Sequence, residues 1–180
     1  LEIANAYLSD ERFSEAIPYL DKLISGNDER FKPQAYLKSG NAFYNVNNNN
    51  EALTRYKKLV STYPNTQEAE DAIGNIRAIY VEQGQPDEFA GFMRQAGRPL
   101  SVSTEDSLTW AAAEIQYANG NKDAALNSFG TYLQRFPTGA HALEANFYSA
   151  GIYADRKKWP EAISRFDYVA ERAPNQYAEA

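Results

Sequence analysis

His141 stands three residues before Glu144, and this pair is the nearest the chain comes to a reactive constellation. On a helix the two side chains share a face. An imidazole oriented by a carboxylate is the base half of an acyl-transfer triad, or half of a metal site. Each chemistry needs more than this. No glycine-flanked serine forms the sharp elbow a nucleophile requires, and His141 is the single histidine. The 180 residues include no cysteine, which removes thiolate nucleophiles, disulfides and Cys-based zinc sites. The carboxylates Glu68, Glu70 and Asp71 fall at a predicted helix start, where the helix dipole favours negative charge without any catalytic role. The glycine-bearing runs "GNAFYNV" (40–46) and "GQPDEFAG" (84–91) lack phosphate-cradling spacing. These residues predict a protein that is not an enzyme, with no metal site and no cofactor.

Charge narrows the partners. The net charge is −6 and the isoelectric point about 4.9, with no clustered Lys/Arg face of the kind that phosphate backbones need. Nucleic acid is not an expected partner. No apolar run reaches the roughly 18–20 residues of a membrane span. With 43% hydrophobic residues, including 13 Tyr and 9 Phe, the chain has ample material for a core.

That material is arranged periodically. "EALTRYKKLVSTYP" (51–64) returns as "AALNSFGTYLQRFP" (124–137) and as "EAISRFDYVAERAP" (161–174). An earlier copy, "EAIPYLDKLIS", places Ala16 thirty-six residues before Ala52. Ahead of three of these blocks runs a second helical stretch: "AYLKSGNAFYNV" (35–46), "LTWAAAEIQYAN" (108–119) and "EANFYSAGIYAD" (144–155). Apolar residues recur at three- and four-residue spacing throughout, which is helix periodicity. The four asparagines at 47–50 sit where other copies carry "ERFS", "GNKD" and "KKWP", so they read as a turn between helices and not as a tether. Asn accepts the left-handed conformation that ends a helix and can cap the next one.

The resemblance these residues carry is to the tetratricopeptide repeat (TPR). Tyr36, Ser39, Gly40 and Phe43, then Ala52 and Tyr56, then Pro64 match its pattern almost position for position. Ala113, Gly120, Ala125, Phe129 and Pro137 keep it, as do Ala150, Tyr153, Ala162, Phe166 and Pro174. Small residues at positions such as Gly40 and Ala52 let two helices cross closely, with large aromatics on either side. The resemblance implies an all-α, right-handed α-solenoid of about five helix-turn-helix repeats, at 1–32, 33–67, 68–103, 104–140 and 141–175. Residues 176–180 would start a further helix, and the whole would be one solenoid cut from a longer protein, with apolar surface left at its C-terminal end. End-to-end self-association of such a piece is a further expectation.

The third copy departs from the pattern. Aligned on Tyr80 and Gly84, its two small crossing positions hold Arg77 and Phe89, so its helix pair should splay. The run 97–107 then reads as an irregular connection capped at Ser103 or Thr104. Thr66 and Thr138 read as caps that begin the following helices early and stretch the period to 36–37 residues. This longer period resembles the TPR arrays of Gram-negative envelope proteins, such as the Tol-Pal-associated periplasmic protein and the outer-membrane assembly lipoprotein. It implies a periplasmic or outer-membrane-associated scaffold for a protein or peptide partner. A groove that stacks sugar rings on aromatics is the alternative.

By the register of the family, the groove is lined by Leu37, Asn41 and Tyr44, by Trp110, Glu114 and Tyr117, and by Phe147, Gly151 and Asp155. The aromatics among them either pad neighbouring helices or anchor a ligand, and Trp110 and Tyr117 are the expected anchors. The Lys/Asn/Arg clamp that grips a C-terminal carboxylate is matched only at Asn41; its first lysine position is Leu37.

Overall fold

A computed structural model describes residues 1–177 of the chain. Among the described residues there are ten α-helices, one 3-10 turn at Glu29–Phe31, and no strand. The helices are α1 (Glu2–Ser9), α2 (Phe13–Ser25), α3 (Lys32–Asn45), α4 (Asn49–Thr62), α5 (Gln67–Glu82), α6 (Pro86–Gln95), α7 (Val102–Ala118), α8 (Lys122–Arg135), α9 (Ala142–Asp155) and α10 (Trp159–Ala170). None is long and apolar enough to cross a membrane.

Punctuation is regular. Each odd-numbered helix is followed by one residue in the left-handed region: Glu11, Asn47, Gly84, Gly120 and Lys157, spaced 36 or 37 apart. A left-handed residue turns the chain back within three residues. Asn48 then caps α4 by accepting from the Glu51 N–H at 3.3 Å. The asparagine run is therefore a turn followed by a cap, as its sequence suggests.

The chain divides into two compact units, Leu1–Ile79 and Tyr80–Ala180, with the boundary inside α5. In the first unit, α1 packs on α2, α2 on α3 and α3 on α4. Ala4, Ala16, Leu20 and Ala35 form one buried cluster there, and small residues allow the close approach. Gly40 is the tightest point: a Cβ added to it would lie 2.3 Å from the Tyr56 ring. In the second unit, α6 packs on α7, α7 on α8, α8 on α9 and α9 on α10. Its core joins Trp110, Ala113, Ala125, Phe129 and Tyr132 with Ala145 and Ile152.

Several local expectations are corrected. Arg77 is exposed, while Phe89 is 3% exposed and belongs to the core. A guanidinium without a partner cannot leave water cheaply, so position 77 takes no part in a close crossing. The cap of α7 is Ser101, whose Oγ accepts from the Thr104 N–H at 3.1 Å, so the irregular connection ends six residues earlier than the sequence suggests. Thr66 does cap, accepting from the Ala69 N–H, but Thr138 does not: α9 starts later, at Ala142. There Tyr132 Oη bonds Asp106 Oδ1 at 2.6 Å and accepts from the His141 N–H, which holds the 137–141 turn open. Residues 171–177 form turns, and the helix expected over 176–180 falls largely outside the described residues.

Candidate functional site

The first unit opens a cleft of about 380 Å3 lined by Asn41, Tyr44, Asn45, Tyr56, Asn75 and Ala78. Its geometry starts at Gly40. Because that position has no side chain, the Tyr56 ring packs directly against α3 at Gly40 and its hydroxyl reaches Asn41 Oδ1 at 2.7 Å. Asn75 Nδ2 donates to the same oxygen at 3.1 Å. With Oδ1 committed to two protein donors, Asn41 has only its Nδ2 hydrogens to offer the cleft. Asn45 donates to the Asn41 backbone carbonyl at 2.8 Å, which leaves its own side-chain oxygen as an acceptor. Burial pushes the Tyr56 phenol well above its ordinary pKa, so it stays a neutral donor. The lining carries no ionised side chain. Such a site can exchange hydrogen bonds with amide groups while Tyr44, 37% exposed, supplies apolar area.

The groove residues expected from the sequence fare unequally. Asn41 and Tyr44 meet in this cleft; Leu37 is half-buried beside them on α3. Trp110 is corrected outright. It is 7% exposed, with His141 stacked on it at 4.8 Å and 5°, Phe129 at 5.7 Å and Tyr148 at 6.2 Å. An indole with its faces occupied cannot report or grip a ligand. The same stacking gives His141 a structural place in the core margin, and its Nδ1 lies 4.0 Å from Glu144. Tyr117 is 39% exposed but stacks on Tyr148 at 4.8 Å, and Phe147 is flanked by Tyr177 at 4.8 Å and Phe166 at 6.1 Å. Glu114 is exposed, Gly151 is half-buried, and Asp155 pairs with Lys122 Nζ at 2.5 Å. The aromatic faces that a sugar ring would need are thus largely spent on one another.

Tyr56 and Asn75 were not among the expected site residues. Tyr56 reads as a core aromatic, and it is one apart from its hydroxyl. Asn75 follows Asn41 by 34 residues, out of step with the 36–37-residue period. Among the described residues no group of three His, Asp or Glu is placed to hold a metal ion.

Two tetratricopeptide-repeat family models match the chain, one over residues 111–177 and one over 34–66, together more than half of it. The chain belongs to the tetratricopeptide-repeat family. Among solved structures, it is similar to YrrB, described as a TPR protein with an unusual peptide-binding site, at 17% identity and a TM-score of 0.45, covering 98% of this chain and 86% of that one. It is similar to MamA of Desulfovibrio magneticus RS-1 at 15% identity and a TM-score of 0.47, covering 97% and 93%. PilF of Pseudomonas aeruginosa aligns at 12% identity and a TM-score of 0.42, covering 97% and 75%. At such scores the likeness establishes neither a shared ligand nor a shared assembly. No curated protein matches the chain.

Proposed function

We propose that this TPR protein is a non-catalytic interaction scaffold that holds an extended, uncharged stretch of a partner protein in the cleft on α3. The observation that carries the reading is Asn41. Its oxygen is held by Tyr56 and Asn75, so its amide hydrogens stand ready for a peptide carbonyl before any ligand arrives. Preorganised donors avoid the ordering cost that weakens flexible sites. A charged terminus is a poor fit, because the lining holds no cation to meet a carboxylate.

Display of random twelve-residue peptides on phage, selected against the chain, tests the proposal. Enriched peptides should bind the purified chain in solution and bind Asn41→Ala at least several-fold more weakly, the loss of about 1 kcal/mol expected for one net hydrogen bond. Peptides that bind Asn41→Ala and the unaltered chain equally would place the ligand elsewhere. We further propose a location in a bacterial cell envelope, supported by the 36–37-residue period that the chain shares with envelope TPR arrays. Fractionation of cells producing the complete reading frame tests this, and recovery in the cytosol would refute it.

A further inference from the structure

Two arginines hold the same place in the repeat and differ in what they meet. Arg55 of α4 and Arg165 of α10 each follow their left-handed turn residue by eight positions. In the first unit, Arg55 Nη2 lies 3.0 Å from Asp21 Oδ1 of α2, a charge contact without hydrogen-bond alignment. The same guanidinium rests over the Phe43 ring at 5.4 Å. Asp21 stands ten residues after its own turn residue, Glu11; in the second unit that position, ten after Gly120, is Gly130 of α8. The guanidinium is kept and its carboxylate is not. A Cβ added to Gly130 would meet nothing within 4 Å, so the place of that side chain is open.

Arg165 is half-buried, and among the described residues it pairs with no carboxylate. A guanidinium withdrawn from water calls for an anion. Its partner is Asn146, 2% exposed, whose Oδ1 accepts from Arg165 Nη1 at 2.9 Å. Asn146 Nδ2 donates to the Ala142 carbonyl at 2.7 Å, which turns the side-chain oxygen toward the arginine. Held there, Arg165 keeps Nε and Nη2 for a second partner. Those two nitrogens form the fork that a carboxylate meets with parallel bonds. Around them lies a cavity of about 470 Å3 lined by Asn146, Tyr153, Glu161, Ser164, Arg165 and Tyr168. Tyr168 Oη donates to the Pro137 carbonyl at 2.9 Å, so this side of α10 faces the turn before α9. In the first unit, too, the carboxylate comes from a helix before the pair, so what Arg165 lacks is independent of whatever follows α10.

We propose that Arg165 receives an aspartate or glutamate side chain from a partner protein, in the role that Asp21 plays beside Arg55. The cavity is far larger than one carboxyl group, and Tyr153 and Ser164 bring hydroxyls for the chain that carries it. Glu161, exposed one turn before Arg165 and not paired with it, sits on the rim and weakens the attraction. The site is separate from the α3 cleft, whose lining suits uncharged groups.

Titration of the nitrogen-15-labelled chain with a blocked serine–glycine hexapeptide carrying one central glutamate tests it. The Arg165 Nε–H and Asn146 side-chain amide signals should shift saturably, and the same peptide with glutamine should leave them still. Arg165→Gln should abolish the response at Asn146. Gly130→Asp should abolish it too, by supplying the carboxylate from within, while Gly130→Ala should keep it. Glu161→Gln should tighten binding several-fold. Helical circular dichroism will verify that each variant folds. Equal shifts with the glutamate and glutamine peptides would overturn the proposal, as would no shift at all or a response that survives Gly130→Asp. Sodium acetate that saturates the signals at the same concentration as the peptide would also overturn it, because the site would then take free carboxylic acids and not a protein segment. Asn41→Ala should leave the response unchanged, which separates this result from that of the peptide selection.

Discussion

Two tyrosines on second helices, Tyr56 of α4 and Tyr132 of α8, are both buried and both spend their hydroxyls on side-chain oxygens. They differ by one helical turn. Tyr56 lies nine residues after its left-handed turn residue and Tyr132 twelve; the reverse positions hold Leu59 and Phe129. In the first unit the hydroxyl therefore reaches the groove and orients Asn41. In the second it reaches the connection, where it bonds Asp106 and the His141 N–H, and Phe129 seals the groove side with stacked rings. A shift of three residues decides whether a repeat presents a polar cleft or a closed aromatic stack. Each choice needs its own glycine. Gly40 makes room for the Tyr56 ring, and a Cβ on Gly139 would come within 2.5 Å of Tyr132 Oη.

The comparison breaks most visibly at the crossings. Gly40→Leu should lower stability by at least about 1–3 kcal/mol, because the side chain has nowhere to go but into Tyr56. Ala125→Leu, fully buried in the second unit, should cost a similar amount. Melting temperatures check both, and an unchanged value for the pair would mean that the crossing register is misassigned.

A finer distinction comes from removing the hydroxyls. Tyr56→Phe and Tyr132→Phe should each cost about 1 kcal/mol of stability in chemical denaturation. Only Tyr56→Phe should also weaken the peptides selected on the unaltered chain, since it releases the Asn41 amide. Equal effects on binding would erase the difference drawn between the two units.

Smaller again is the contrast within the second unit. Amides of residues 84–105 should exchange faster with deuterium than those of 108–135, because α6 is short and the run between Gln95 and Val102 is not helical. Equal protection would show that this copy is as tightly held as its neighbours.

The smallest effect is alkaline. Burial first, then nearby Glu144 and Tyr148, pushes the Tyr177 phenol up to about 12 from an ordinary 10.0. Burial and Asp106 push Tyr132 in the same direction. A group with a raised folded pKa contributes fully below the unfolded value and loses its contribution as pH climbs through the folded one. Stability should thus begin to fall above about pH 10 in the unaltered chain, and Tyr177→Phe should fall less steeply towards 12. Parallel curves would leave Tyr177 without a role in the tail.

What the sequence made legible follows from what repeats. The helix pairs, the left-handed turn at Asn47 and the small residues at Gly40 and Ala52 recur at a fixed interval, so period and residue type suffice to place them. The cleft does not recur. It depends on a hydroxyl that hides inside an aromatic position, and on Asn75, which is out of step with the period. Trp110 failed for the opposite reason: its position in the repeat marks the groove, but His141, from the turn before α9, folds over it. Contacts made by turns are invisible to a pattern built on helices. The same blindness placed the α7 cap at Ser103 or Thr104 when Ser101 provides it, and gave Thr138 a cap that the Tyr132–Asp106 bonds make unnecessary.

Within each unit, α1 to α4 and α6 to α10 each lean on the helix immediately before or after them in the chain. Partners so near in sequence need little loop closure before they meet, the condition under which small proteins fold fastest. Folding can start at any helix pair and spread outward, as it does in other nearest-neighbour arrays. By the same token, a lesion at one crossing need not bring down the rest. A protease acting on the Gly40→Leu chain should cut first around α3 and α4 and spare a resistant piece that contains α7 to α10.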